Sequence, residues 1–428
     1  VRYSSADLHA RLEALLDSGP RSELSPSANA CAVRVMRGEL AAHSVLCAGT
    51  DGSRSRGAIG VAEADQLCTA FTEARVTNTP LLLLLDSGGA KVNQGLAALG
   101  AFRRLYRSAL HTRLAGVPMF ALLGRSCFGG ASMLATLCER RVYCDQTLLA
   151  ASGPAVVEAL AGRDQLRAND PDAVRALMGG ESRTRLGQDE ILCLDDMESF
   201  RVQARSLVSS LGPSRLNIRA QHKLLGQRLA GLQDSSASTA NHHAMARLKA
   251  LVPAGYRCDA RGEMVFATGA RPEQQPTFLG VLSGGTIGAA TLWLLADGLI
   301  KLHDQHPATP VILVLDATGQ SAGRQDEELM LSQYISHFAL SAAWLGEEHH
   351  RMLLWIPGQA AGAIYVAFAA PVQTVSALPT AQLRILPDAA ASLIVRQAPA
   401  PTSDPDEWIA AGVVDALLDS RLASYASS

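Results

Sequence analysis

The chain has 428 residues, 48% of them hydrophobic and 18% charged, with a formal net charge of -2. That is enough apolar surface for one large or two medium cores, and the length favours two domains. A nearly balanced charge gives no global reason to expect nucleic acid or an anionic membrane surface as a partner.

The eight cysteines, at 31, 47, 68, 127, 138, 144, 193 and 258, contain no Cys-x-x-Cys pair and no zinc-ligand spacing. Most lie in apolar runs, as expected of reduced, buried thiols in a cytoplasmic protein. The pairs His242-His243 and His349-His350 read as surface residues ahead of metal ligands. No signal peptide is expected, since 1–20 is mixed polar and apolar with helical spacing at Leu8, Leu12, Leu15 and Leu16. The longest apolar run, 360–372, contains Pro371 and falls short of the roughly 20 residues of a membrane-spanning helix.

In chain order, 31–48 alternates as a hairpin, with Arg37-Gly38-Glu39 as its expected turn. An amphipathic helix over 62–75 leads to an apolar strand, 81–85, which opens onto Asp86-Ser87-Gly88-Gly89-Ala90. A helix over 96–114 is stopped by Gly116-Val117-Pro118 before a strand at 119–123. Gly124-Arg125-Ser126-Cys127-Phe128-Gly129-Gly130 then opens a helix over 131–138, followed by a strand at 141–144, an extended piece over 148–153 and a helix from Pro154. This alternation implies right-handed crossovers in an α/β fold. Between 164 and 275 charge rises and strand-like runs become rare; helices are expected over 199–211 and 217–232, and 233–239 is a polar linker.

The second half repeats the first. A strand at 277–282, the turn Gly284-Gly285-Thr286-Ile287-Gly288 and a helix over 289–303 precede a strand at 311–315 and Asp316-Ala317-Thr318-Gly319. A helix over 326–345 and a strand at 352–356 lead to Gly358-Gln359-Ala360-Ala361-Gly362-Ala363. Asp86 and Gly129 are 43 positions apart, Asp316 and Gly362 46, so two copies of one unit are the economical reading.

Glycine turns at helix mouths can bind phosphate, bind an oxyanion, or pack tightly. Phosphate motifs of the Gly-x-Gly-x-x-Gly or Gly-x-x-x-x-Gly-Lys kind are missing in the right context. The chemistry such turns suit best is holding a thioester carbonyl while it becomes an enolate. Each well-placed N–H contributes about 3 kcal/mol to such a transition state, and a helix N-terminus supplies it without a titrating residue.

The runs Asp86-Ser87-Gly88-Gly89-Ala90, Cys127-Phe128-Gly129-Gly130-Ala131-Ser132 and Gly153-Pro154-Ala155-Val156-Val157-Glu158 resemble the carboxyltransferase branch of the crotonase superfamily. Within it they are most similar to malonate decarboxylase beta subunits. Gly323-Arg324, Glu327-Glu328-Leu329 and Gly358-Gln359-Ala360-Ala361-Gly362-Ala363 resemble the gamma subunits of the same enzymes. The resemblance implies a beta-gamma fusion of two tandem crotonase-like α/β domains with ββα superhelical units: 1–232, a linker over 233–275, and 276–428. It implies decarboxylation of a malonyl thioester, with Gly129 and Gly130 forming one oxyanion hole and Gly362 and Ala363 the other. Gly88, Gly89, Lys91, Cys127, Phe128, Arg324 and Gln359 are the implied substrate-binding residues. No bound cofactor is implied; the thioester would ride on a phosphopantetheine-type arm, of an acyl carrier protein as partner or of CoA. A homo-oligomer is possible within the family.

The chain departs from the family at Lys91, where relatives commonly carry arginine, at Gln94, where they carry a carboxylate, and at Ile385-Leu386-Pro387-Asp388, where a histidine-containing run is expected. Lysine keeps the charge but loses the bidentate fork, and glutamine cannot act as a base. Cys127 has no base placed beside it and reads as a buried small residue. Arg324 could hold a malonyl carboxylate or pair with Asp326 or Glu327. His337 could protonate an enolate or pack as a helix-face histidine. Three functions stay open: a malonyl-thioester decarboxylase, a biotin-dependent acyl-thioester carboxyltransferase with biotin on another chain, and a non-catalytic scaffold that binds a carrier protein.

Overall fold

The computed structural model describes residues 1–24, 31–212, 216–231, 242–271, 274–305, 309–347, 350–387, 390–391 and 404–419. The polar run 233–239, His349 and Asp388 lie outside the described residues. The chain divides into two compact units: Val1–Gln94, Arg104–Leu216 and Ala322–Gln333 form unit 1, and Gly95–Arg103, Asn217–Ser321 and Tyr334–Ser428 form unit 2.

In chain order unit 1 draws on α1 (Leu8–Leu15), β1 (Ser22–Glu23), β2 (Val33–Leu40), β3 (His43–Thr50), α2 (Val61–Thr77), β4 (Leu81–Ser87), the part of α3 (Gly95–Leu114) from Arg104 onward, β5 (Met119–Phe128), α4 (Gly130–Leu137), β6 (Arg140–Tyr143), β7 (Leu148–Ala150), α5 (Pro154–Ala161), α6 (Pro171–Met178), α7 (Gly180–Thr184), β8 (Glu190–Leu192) and α8 (Met197–Ser209). Its sheet runs β1-β2-β3-β4-β5-β6-β8, with β7 paired to the far end of β5. The β2–β3 hairpin is antiparallel and the strands from β3 onward are parallel. Every residue of β4 is buried, as a central parallel strand covered on both faces must be. Leu8, Leu12 and Leu15 of α1 and Phe200, Ala204 and Leu207 of α8 pack on Leu82, Leu84, Phe120 and Leu122.

Unit 2 draws on α9 (Ile218–Ala230), α10 (His242–Leu251), β9 (Arg257–Arg261), β10 (Met264–Thr268), β11 (Thr277–Val281), β12 (Thr286–Ile287), α11 (Ala289–Gln305), β13 (Val311–Leu315) and β14 (Gly319–Gln320). After α12 (Arg324–Glu328), which lies in unit 1, come α13 (Leu331–Glu347), whose first three residues also belong to unit 1, β15 (Met352–Ile356), β16 (Gln359–Ala361), α14 (Gly362–Ala369), β17 (Thr374–Ala377), β18 (Gln382–Arg384) and β19 (Ala416–Leu417). The sheet order β9-β10-β11-β13-β15-β17-β19 repeats that of unit 1 strand for strand, and the short β16–β18 pair stands where β5 meets β7. Leu248 and Leu251 of α10 cover Phe278, Ile312 and Val314 as α1 covers its sheet.

Four local features differ from the sequence expectation. The β2–β3 turn is Ala41-Ala42, with φ of 54° and 64°, while Gly38 lies inside β2 beneath Leu16. The left-handed pair is held by Asp17, which accepts from the Ala41 N–H at 2.8 Å. The strand at 119–123 continues to Phe128. The helix expected over 326–345 is two helices, broken at Met330 (φ 63°). Residues 242–268, inside the expected linker stretch, form α10 and a hairpin that pairs with β11. Among the described residues no helix is long and apolar enough to cross a membrane.

Candidate active site

In unit 1 the site grows from the exit of β4. Asp86 is nearly buried, and its Oδ2 accepts from Arg11 Nη2 at 2.9 Å while its Oδ1 accepts from the Ser126 N–H at 3.1 Å. The Arg11 guanidinium also donates to the carbonyls of Tyr3 and Ser4 and lies over the Tyr3 ring, which stacks on Phe200. This brace explains Gly124: a Cβ there would stand 2.6 Å from Arg11 Nη1 and 2.7 Å from Asp86 Cβ. The aspartate thus carries β5 past its apparent end, through Ser126-Cys127-Phe128, to the turn.

At that turn Gly129 has φ 57° and ψ -130°, open to glycine and strained for any other residue, and α4 begins at Gly130. The Gly129 carbonyl accepts from the N–H groups of Ser132 and Met133, at 3.0 and 3.3 Å, and the N–H groups that open a helix lie at the positive end of its dipole. Among the described residues, a Cβ on Gly129 would come within 4 Å of Gly89 Cα alone, at 3.8 Å. The N–H groups of Gly88 and Gly89 are themselves engaged, by the Arg56 carbonyl at 2.8 Å and Ser87 Oγ at 3.1 Å.

Unit 2 builds the same device. Asp316 Oδ2 accepts from Arg247 Nη1 at 2.8 Å and its Oδ1 from the Gln359 N–H at 2.7 Å. A Cβ on Gly358 would lie 2.2 Å from the Asp316 carboxyl carbon. Gly362 has φ 58° and opens α14, so Gly362-Ala363 stands where Gly129-Gly130 does. The front differs: Gln320 Oε1, the Ile385 carbonyl and Leu386 lie 3.2, 3.5 and 3.8 Å from where a Gly362 Cβ would be.

The other candidate residues fall into place around these turns. Lys91 Nζ donates to Glu63 at 2.7 Å, and Glu63, fully buried, also accepts from the N–H groups of Gly60 and Ala32. Gln94 accepts from the Val61 N–H at 2.9 Å. The two departures from the family pattern therefore knot the start of α2. Cys127 is fully buried, and burial first, then the Asp86 charge, pushes its thiol well up. Phe128 is half-buried beside Gly153. Arg324 pairs with Glu328 at 2.8 Å on the surface, a different partner from the Asp326 or Glu327 weighed above. His337 is buried against His222, 3.2 Å between Nε2 and Nδ1, and burial first, then His222, lowers its pKa to about 3. All eight cysteines are free.

Sequence reading passed over three charged groups, Arg11, Arg247 and Arg183, and gave a fourth, Glu327, no role at the turn. Arg11 and Arg247 brace the two aspartates. Glu327, fully buried in unit 1, accepts from the N–H groups of Ser152 at 2.9 Å and Ala151 at 3.3 Å, with Arg183 Nη2 3.8 Å from its carboxylate. Only Glu327, in Glu327-Glu328, carried a signal, as part of the family motif.

A carboxyl transferase domain matches residues 32–222, and the malonate decarboxylase gamma subunit family matches residues 283–400. The chain joins these two domains in one polypeptide. The fusion of beta-like and gamma-like parts holds, and the α/β fold with parallel sheets carries a carboxyl transferase domain as expected. Similar curated proteins include the methylmalonyl-CoA carboxyltransferase 12S subunit of Propionibacterium freudenreichii, 25% identical over 41% of this chain and 32% of its own length. The malonyl-S-ACP:biotin-protein carboxyltransferase of Malonomonas rubra is 26% identical over 32% of this chain and 46% of its own length. The chain thus spans under half the length of these relatives. A Pseudomonas malonate decarboxylase hetero-tetramer in complex with malonate is 25% identical, with a TM-score of 0.49, over 55% of this chain and 93% of that one.

Proposed function

We propose that this fusion is an enzyme that decarboxylates a malonyl thioester, malonyl-acyl carrier protein to acetyl-acyl carrier protein, in the cytoplasm. The observation that carries the reading is the duplicated turn: a glycine at φ 57° or 58° opening a helix beside a braced aspartate. Such a turn aims backbone N–H groups at one point without a titrating side chain. In the reaction the bond from Cα to the carboxylate breaks, carbon dioxide leaves, and the electron pair moves onto the thioester oxygen as an enolate. The N–H groups of Gly129-Gly130 stabilise that oxyanion, and a proton added to Cα completes the acetyl thioester; Gly362-Ala363 is the equivalent oxyanion device of unit 2. Gly88 and Gly89 shape the turn, and Arg324 is the candidate for holding the carboxylate.

A second reading is favoured by the Malonomonas rubra relative, whose name records transfer from malonyl-S-ACP to a biotin protein. Here the same enolate forms, but the carboxyl group passes to biotin on another chain. The two are separated by incubating the purified chain with malonyl-carrier or malonyl-CoA and following carbon dioxide loss by mass spectrometry. Loss from the carrier substrate without biotin supports decarboxylation. Turnover that requires a biotin carrier shifts the case to transfer. Carrier binding with no turnover of either kind leaves the scaffold.

A further inference from the structure

Residues 322–333 lie within the segment matched by the gamma subunit family, yet they belong to unit 1. They touch the end of β7 and the first turns of α4, which frame the Gly129 turn. On one side, Glu327 accepts from the N–H groups of Ala151 and Ser152, immediately after β7, whose Ala150 is the register partner of Phe128. Arg183 locks this contact, donating to the Glu327 carbonyl at 2.6 Å and to the Leu149 carbonyl at 2.8 and 3.0 Å. On the other side, Ser332 Oγ lies 2.7 Å from Ser132 Oγ, which itself donates to the Gly129 carbonyl at 2.7 Å. Thr136 in the next turn of α4 donates to the Ser332 carbonyl at 3.1 Å.

We propose that the 322–333 segment is a splint for the unit 1 turn, with Glu327 as its positioning residue and Ser332 as its second point of attachment. By fixing the end of β7 and the first turn of α4 together, the splint sets where the N–H groups of Gly129 and Gly130 point. This rests on the oxyanion reading of that turn, and it makes the beta-like site dependent on residues from the gamma-like sequence.

Glu327 is also the group through which pH reaches the splint. Burial raises its carboxyl to about 7, against the pull of Arg183 and the N–H groups of Ser152 and Ala151, with Asp326 adding a small push upward. Arg183 of α7 is the charged side chain facing it; Arg175 of α6 is engaged with Asp172. The carboxylate form accepts from both N–H groups, so kcat rises with pH through about 7.

The test compares the full chain with Glu327→Gln, Glu327→Asp and Ser332→Ala. Glu327→Gln keeps an acceptor but not the charge, and is expected to lower kcat about 10- to 100-fold with little change in KM and to erase the limb near pH 7. Glu327→Asp keeps the limb at reduced kcat, and stands in if the glutamine variant fails to fold. Hydrogen exchange read by mass spectrometry at fixed pH needs no turnover: amides over 126–133 and 149–154 should exchange faster together in Glu327→Gln and in Ser332→Ala, with 359–366 unchanged. A wild-type pH profile and kcat in Glu327→Gln, or unchanged exchange over 126–133, overturns the splint while leaving the decarboxylase reading intact. An inactive wild type overturns that reading instead, and exchange alone then decides the splint.

Discussion

Unit 1 and unit 2 share sheet order, a braced aspartate at the exit of the second parallel strand (β4 and β13), and a positive-φ glycine at a helix mouth, but not what stands before that glycine. Within 4 Å of a Gly129 Cβ, among the described residues, there is Gly89 alone; before Gly362 stand Gln320, Ile385 and Leu386. The backbone frame is duplicated, whereas the residues in front of each glycine are not. Repetition of a backbone device fixes where charge can be stabilised, and the side chains laid over each copy decide how large a group can approach.

The sharpest way to break this comparison is to substitute both glycines. Gly129→Ala forces a Cβ into a strained conformation at the open turn and is expected to cost about 10²–10³ in kcat. Gly362→Ala, at the covered turn, should cost less, about tenfold. Equal losses, measured in steady state, would make the two fronts irrelevant.

Next come the braces. Arg11 has a side chain 1% exposed and Arg247 one 21% exposed. Arg11→Met leaves Asp86 charged, nearly buried and short of its cation, with an expected loss of about 3–5 kcal/mol in urea unfolding. Arg247→Met should lose less, because water reaches that pair.

The units should also answer pH in opposite directions. The neutral His337 of unit 2 binds fewer protons than the unfolded chain between its ordinary 6.5 and about 3, so its contribution is complete above 6.5 and is lost as pH falls. Glu327 of unit 1 binds more protons than the unfolded chain between 4.5 and about 7, so stability declines as pH rises through that window. Unfolding measured across pH should lose its acid slope in His337→Leu and its opposing slope in Glu327→Gln. The smallest effect is expected at Arg324: its surface pair with Glu328 is worth no more than about 0.5 kcal/mol, so Arg324→Ala should leave stability alone, and a rise in KM would mark a carboxylate-binding role.

Much of this frame was legible because it is written locally. Five-residue apolar runs at 81–85 and 311–315 could only be doubly covered strands, and the Asp-to-Gly spacing exposed the repeat. The braces were not, since Arg11 lies 75 positions from Asp86 and Arg247 69 from Asp316. Glu327 and Arg183 meet across 144 positions for the same reason. The hairpin turn was misplaced because Ala41-Ala42 carries no turn residue, while Gly38 and Gly124, which look like punctuation, are strand residues made small by Leu16 and Arg11. Met330 breaks a helix without glycine or proline.

The central claim, an enolate held at the Gly129 turn, is tested most directly by running malonyl-carrier decarboxylation in deuterium oxide and weighing the product. The account predicts an acetyl thioester carrying one deuterium in its methyl group, formed by the wild type without biotin and lost in Gly129→Ala. Product formed at the wild-type rate by Gly129→Ala, or no acetyl thioester from the wild type, would contradict it.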